Sequence, residues 1–159
     1  MLFFKKAASL IFALLLILTL LTSCGLFDDT ESKPEKDPDI NCGLIINEIC
    51  SSNETLLADS YGAYSDWIEL YNSSSSDINL LGFSLTDDLS DKTKYSFGDA
   101  TIKKGEYMIV FASGMDIHSG SELHTSFKIS ASGENIALYT PAGNRISLME
   151  VPAMEADKT

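Results

Sequence analysis

Two carboxylates stand beside the chain's one tryptophan. In S-D-W-I-E-L-Y-N, residues 65–72, Asp66 and Glu69 bracket Trp67 and Ile68. Acids beside an indole could form a glycoside-cleaving pair, which requires two carboxyl groups facing one bond across a set separation. The segment's pattern argues against that chemistry. In an extended strand side chains alternate, so Asp66, Ile68, Leu70 and Asn72 point one way and Trp67, Glu69 and Tyr71 the other. The two acids fall on opposite faces. The segment therefore reads as a wall strand, with Ile68 and Leu70 in a core, Asp66 and Asn72 at its ends, and Trp67 and Tyr71 covering the other side.

Two further groups have metal-binding residue types. M-D-I-H-S-G-S-E-L-H-T-S-F, residues 115–127, contains Asp116, Glu122 and the chain's two histidines, His118 and His124. Zinc needs three or four such ligands converging at about 2 Å, whereas a Ser- and Gly-rich segment gives no reason for convergence. A solvated loop is expected here. Asp59 and Asp66 around Gly62 faintly resemble a calcium loop, because hard cations favour carboxylate oxygens, but the acid density of an EF-hand is missing. Residues 54–65 read as a long acidic loop with at most one helical turn. No nucleophile elbow, phosphate loop or zinc-helix motif occurs, and no cofactor is implied.

The elements that would position these residues begin after an export signal. Lys5 and Lys6 precede an apolar run from Ala7 to Leu21, and small residues then lead to Cys24. That order gives a basic n-region, an h-region and a cleavage site. A run of fifteen residues is too short for an uncleaved span, which wants about 20, and a cysteine has no special place in ordinary secretion. Leu21-Thr22-Ser23-Cys24 resembles the lipobox of bacterial lipoproteins, in which the cysteine thiol takes up diacylglycerol and becomes the new N-terminus. Residues 1–23 are expected to be a lipoprotein signal peptide, with Cys24 the lipid attachment site. Residues 24–41, rich in charge and carrying Pro34 and Pro38, read as a flexible tether. Its 17 residues after Cys24 could extend to about 55 Å, with a root-mean-square span nearer 23 Å.

The full chain has 11 basic and 23 acidic residues. Removal of Lys5 and Lys6 with the signal leaves 9 against 23, a net charge of −14. Such a surface repels nucleic-acid phosphates and gains nothing from an anionic bilayer. No nucleic acid is expected as a partner. Lipid on Cys24 must make the membrane contact, and the two or more chains of a lipoprotein cysteine suffice for stable anchoring.

From residue 43 the sequence becomes short β-branched and aromatic runs separated by Gly, Asn, Asp and Ser. That spacing predicts an all-β sandwich or barrel. Strands are expected over 44–49, 66–71, 83–86, 94–97, 107–111, 125–129, 135–139 and 145–149. Gly105, Gly133 and Gly143 fall in turns where positive φ is expected, and Pro141 presets its turn. Cys42 and Cys50 flank the first strand, about 25 Å apart if it is extended and too far for a bridge. Two free thiols are expected, with Cys50 acting as a small buried hydrophobe.

The blocks L-I-I-N-E-I-C-S-S-N, D-W-I-E-L-Y-N, I-K-K-G-E-Y-M-I-V-F-A-S-G and L-H-T-S-F-K-I-S-A-S-G-E-N-I-A-L-Y-T-P-A-G-N follow one another in the chain. In that order they resemble the lamin tail domain of bacterial surface proteins, over roughly residues 43–151. The resemblance implies an immunoglobulin-like β-sandwich, here the domain over 42–152, followed by a tail over 153–159. It implies a module that is not an enzyme, met beside secreted nucleases, phosphatases and CotH-type kinase-like proteins, and engaged in partner binding in animal lamins. His124 falls in the family's L-H-T motif, where a hydrogen-bonding residue at a strand start is implied.

The expected function is a non-catalytic, lipid-anchored extracytoplasmic module at the cell surface. It would recognise an extracellular protein or glycan through loops at one end of the sandwich or an exposed strand edge. Two other readings are an accessory domain at the front of a larger extracellular enzyme or CotH-type protein, and a self-associating structural envelope protein.

Overall fold

The computed structural model describes residues 42–159; the signal peptide, Cys24 and the tether of residues 24–41 lie outside the described residues. Ten strands follow in order: β1 (Leu44–Cys50), β2 (Trp67–Asn72), β3 (Ile78–Asn79), β4 (Ser84–Thr86), β5 (Tyr95–Ser96), β6 (Thr101–Ile102), β7 (Tyr107–Phe111), β8 (Leu123–His124), β9 (Glu134–Tyr139) and β10 (Arg145–Val151). They form one sheet in the order β1-β2-β7-β8, a second in the order β10-β9-β4-β5, and a ribbon of β3 with β6. The described residues contain no helix. The architecture is an all-β sandwich, one of the two forms the sequence pattern predicted, and it is consistent with the immunoglobulin-like fold that the resemblance implied.

The inner faces of the two sheets make the core. Leu44, Ile46, Ile49, Ile68, Leu70 and Val110 from the first sheet join Leu85, Ile136, Leu138 and Val151 from the second. Each such side chain contributes about 1.5–3 kcal/mol relative to an exposed one. In β1 strict alternation from Leu44 and Ile46 would drive Glu48 into this core. A bulge between Ile46 and Glu48 inserts one residue, so that Glu48 pairs with Glu69, Ile49 with Ile68, and Cys50 with Trp67. The parity flip sends Ile49 inward and Cys50 to the opposite face.

The turns behave as their glycines suggest, with Gly105, Gly133 and Gly143 at φ of 73°, 95° and 77°. Asn72 does more than end a strand. It is fully buried, its amide donates to the carbonyls of Ser76 and Ile102, and its Oδ1 accepts from Ser74 N–H. These bonds tie β2 to the next turn and to β6.

One predicted strand is corrected. Residues 125–129 have the expected alternation of burial but form no ladder beyond an isolated bridge from Lys128 to Ser113. The strand is Leu123–His124, parallel to β7. Thr125 Oγ1 donates to the Phe127 carbonyl (2.6 Å), and Ser126 Oγ to that of Lys94 (2.6 Å). Side chains thus supplement the backbone bonds that Thr125 keeps with Phe111 and Asp116 as the chain crosses from the first sheet to the second, while Phe127 and Ile129 stay buried. The two-residue strands β3 and β6 lie in polar stretches too short to show a period.

Candidate binding surface

The outer face of the first sheet is divided along its strands. At one end, Cys50, Trp67 and Phe111 stand in a row across β1, β2 and β7, and pack with Leu57 and Ile109 into a second small core. Trp67 is only 7% exposed. The cover is the loop of residues 53–65, held by Asn53. Asn53 Nδ2 donates to the carbonyls of Leu57 (2.6 Å) and Ser65 (2.8 Å), and its Oδ1 accepts from the Leu56 and Leu57 N–H groups. Burial raises the pKa of the Cys50 thiol, so it serves as a hydrophobe rather than a nucleophile.

The acids of the opening motif separate as parity requires. Asp66 Oδ1 accepts the Asn53 N–H, and burial outweighs that bond and raises its pKa. Glu69 lies outward and accepts from Asn47 Nδ2 at 2.7 Å. Asp59 closes its own turn, its Oδ1 accepting from the N–H groups of Tyr61 and Ala63. Each of these carboxylates has a different task. Asp59 and Asp66 fasten the loop, and no helical turn forms within it.

The histidine segment departs from the expected solvated loop. His124 has 0% exposure and stacks on Phe111, with Tyr61 of the cover edge-on above it. Its Nε2 bonds Glu122 Oε1 at 3.0 Å, and its Nδ1 bonds Ser113 Oγ at 2.9 Å. Glu122 also accepts the Ser60 N–H and hydroxyl, the latter at 2.7 Å. Burial pushes the Glu122 carboxyl upward, but the bonds from Ser60 and His124 outweigh it and hold the pKa below the ordinary value.

The Ser113–His124–Glu122–Ser60 series shares its residue types with hydrolytic triads. Its ring is enclosed by aromatics, and Ser113 Oγ already accepts the Met115 N–H. Mechanically it is a brace, pinning the cover to β8 and the 113–115 turn. His118 belongs to a different pair: its Nε2 meets Asp116 at 3.1 Å, its Nδ1 meets the Ser96 carbonyl, and its ring stacks on Tyr95. Each imidazole has its own carboxylate. Among the described residues no group of three or more His, Cys, Asp or Glu side chains converges on a possible metal position.

Toward the other end of the same face the cover is absent. Ile45, Tyr71 and Tyr107 pair across β1, β2 and β7; the two rings stack with centroids 4.5 Å apart. Ile45 is 36% and Tyr107 55% exposed. Asn47 and Glu69 add hydrogen-bonding groups beside this bare row. Sequence parity placed Tyr71 outward, but the pairing with Tyr107 was legible only once both strands had a register.

Around the corner of the sandwich, the edge strands β1 and β10 approach where Ile46 N–H donates to Ser147 Oγ (3.2 Å). Beyond that contact a cleft of about 410 Å³ opens between Asn47–Ile49 and Met149–Pro152, with Met154 and Thr159 at its border. The tail returns to the body at Asp157, whose carboxylate accepts the N–H groups of Glu54 and Thr55.

Comparison with protein families gave a match to the Lamin Tail Domain over residues 41–152. Comparison with curated proteins gave no match.

Proposed function

We propose for this chain, which belongs to the lamin tail domain family of generally non-catalytic, immunoglobulin-like interaction modules, the role of a lipid-anchored extracytoplasmic binding domain that recognises a protein or glycan. The single observation carrying the binding role is the bare row Ile45, Tyr71 and Tyr107 on a face whose other end is covered. Two stacked phenol rings give a rigid apolar platform with polar tips at low entropy cost, and Asn47 and Glu69 beside them supply direction. The sandwich is the scaffold and the brace at His124 keeps its neighbouring cover in place. Supporting the anchor is the order of basic residues, apolar run and Cys24 in the sequence.

The test has two arms. Full-length protein should fractionate with membranes and Cys24→Ser should not. The soluble 42–159 fragment, immobilised, should retain a protein or glycan from envelope material. Retention of nothing above a blank support would overturn the binding role; membrane association unaffected by Cys24→Ser would overturn the lipid anchor.

A further inference from the structure

The cleft between the edge strands β1 and β10 combines three properties. Its lining is apolar where Ile49, Met149 and Met154 meet, and methionine side chains adapt to varied shapes. Its volume of about 410 Å³ lies within the range of ligand-holding clefts, about 300–1,000 Å³. One bank is β10, the terminal strand of its sheet, along which alternate N–H and C=O groups face away from β9.

Charge then selects the occupant. Glu48 and Glu150 stand on opposite banks. Glu48 is also the cross-strand partner of Glu69, and like charges directly opposite destabilise a sheet. Among the described residues neither Glu48 nor Glu69 has a lysine or arginine ion pair. Asn47 gives Glu69 a hydrogen bond but no countercharge. Acids outnumber bases from β10 onward: residues 145–159 carry Glu150, Glu155 and Asp157 against Arg145 and Lys158. A ligand bringing positive charge would relieve a repulsion built into the empty surface.

We propose that this cleft receives an extended, basic segment of a partner protein, added as a strand to the free edge of β10 along Leu148–Val151. Apolar residues of the segment enter over Met149 and Ile49, and the alternating lysines or arginines reach Glu48 and Glu150. Main-chain hydrogen bonds hold the segment and alternate side chains choose it. The site is separate from the tyrosine row, so either surface can fail its test without the other.

The test titrates full-length protein in a non-ionic detergent with a short peptide alternating lysine and valine, following binding by calorimetry. Three comparison ligands are used: the same peptide N-methylated at alternate amides, a glutamate–valine analogue, and an isomer with the lysines and valines in separate blocks. Saturable binding is expected for the alternating basic peptide, weakened about tenfold or more by N-methylation and about fivefold by the Glu48→Gln/Glu150→Gln pair. The acidic analogue should not bind and the block isomer should bind more weakly. Equal binding of the N-methylated peptide would overturn strand addition, and unchanged affinity of the double variant would overturn charge selection. No saturable binding to any peptide would overturn the proposal as a whole. The N-methylated peptide needs no variant, so a folding defect in the double variant would leave the test intact.

Discussion

Two rows of side chains cross the same three strands and point to the same face. At one end Cys50, Trp67 and Phe111 lie under the 53–65 loop; toward the other, Ile45, Tyr71 and Tyr107 lie open. Both rows are apolar or aromatic, and both sit on antiparallel pairs of β1, β2 and β7. Residue type alone does not separate them. What does is the cover, a loop fastened by Asn53 and by the series from Ser60 through Glu122 and His124 to Ser113. The covered row is a second core, and the bare row is left for contact with something outside the domain.

If that contrast is sound, truncation should affect stability at one end and recognition at the other. The largest effect is expected for Trp67→Ala, which empties a filled site and should cost about 3–5 kcal/mol in denaturant unfolding. A loss below about 1 kcal/mol would mean that the covered row is not a core. Next comes Asn53→Ala, which removes the amide that donates to the Leu57 and Ser65 carbonyls and leaves the Leu56 and Leu57 N–H groups without their acceptor. It should cost about 1–3 kcal/mol and speed hydrogen exchange in 53–65 more than in β2 or β7. Uniform acceleration would place the loop and the sheet in one cooperative unit instead.

Acid should sharpen the same contrast. Glu122 has a folded pKa below its ordinary value of 4.5. Its contribution is therefore complete above that pH and disappears as pH falls through the lower folded value. Asp66, raised by burial, runs the other way, since its protonation on acidification favours the folded form. Hydrogen exchange measured down the pH scale should show the cover opening below about 4.5 while β2 and β7 remain protected. Simultaneous loss in both would contradict a separate brace. The smallest stability effect belongs to Tyr71→Ala, at about 1 kcal/mol or less, because only a half-exposed ring pair is lost.

Much of this contrast was legible before any coordinates. Alternation in W-I-E-L-Y-N placed Trp67, Glu69 and Tyr71 on one face and dismissed a shared carboxylate site, and the strand assigns those directions. Cys50 was expected to be buried and is, although the bulge that turns it outward onto Trp67 leaves no trace in residue type. His124 was read into a solvated loop because its neighbours are Ser, Gly and Glu. Its burial comes from Phe111 and Tyr61, both remote in sequence; the L-H-T resemblance pointed to a hydrogen-bonding residue at a strand start, and His124 is hydrogen-bonded but closes the two-residue β8. Residues 125–129 were expected to form a strand; their burial does alternate, with Phe127 and Ile129 inward, but a burial period cannot show whether a ladder partner exists. The edge cleft depends on β1 and β10, about 100 residues apart, meeting at one corner.

The most direct measurement is retention of a partner by the soluble 42–159 domain, compared with its Tyr71→Ala/Tyr107→Ala counterpart at matched thermal stability. The account predicts that the wild-type domain holds a protein or glycan from envelope material and that the double variant, still folded, releases it. Equal retention by both would contradict the assignment of recognition to the bare row.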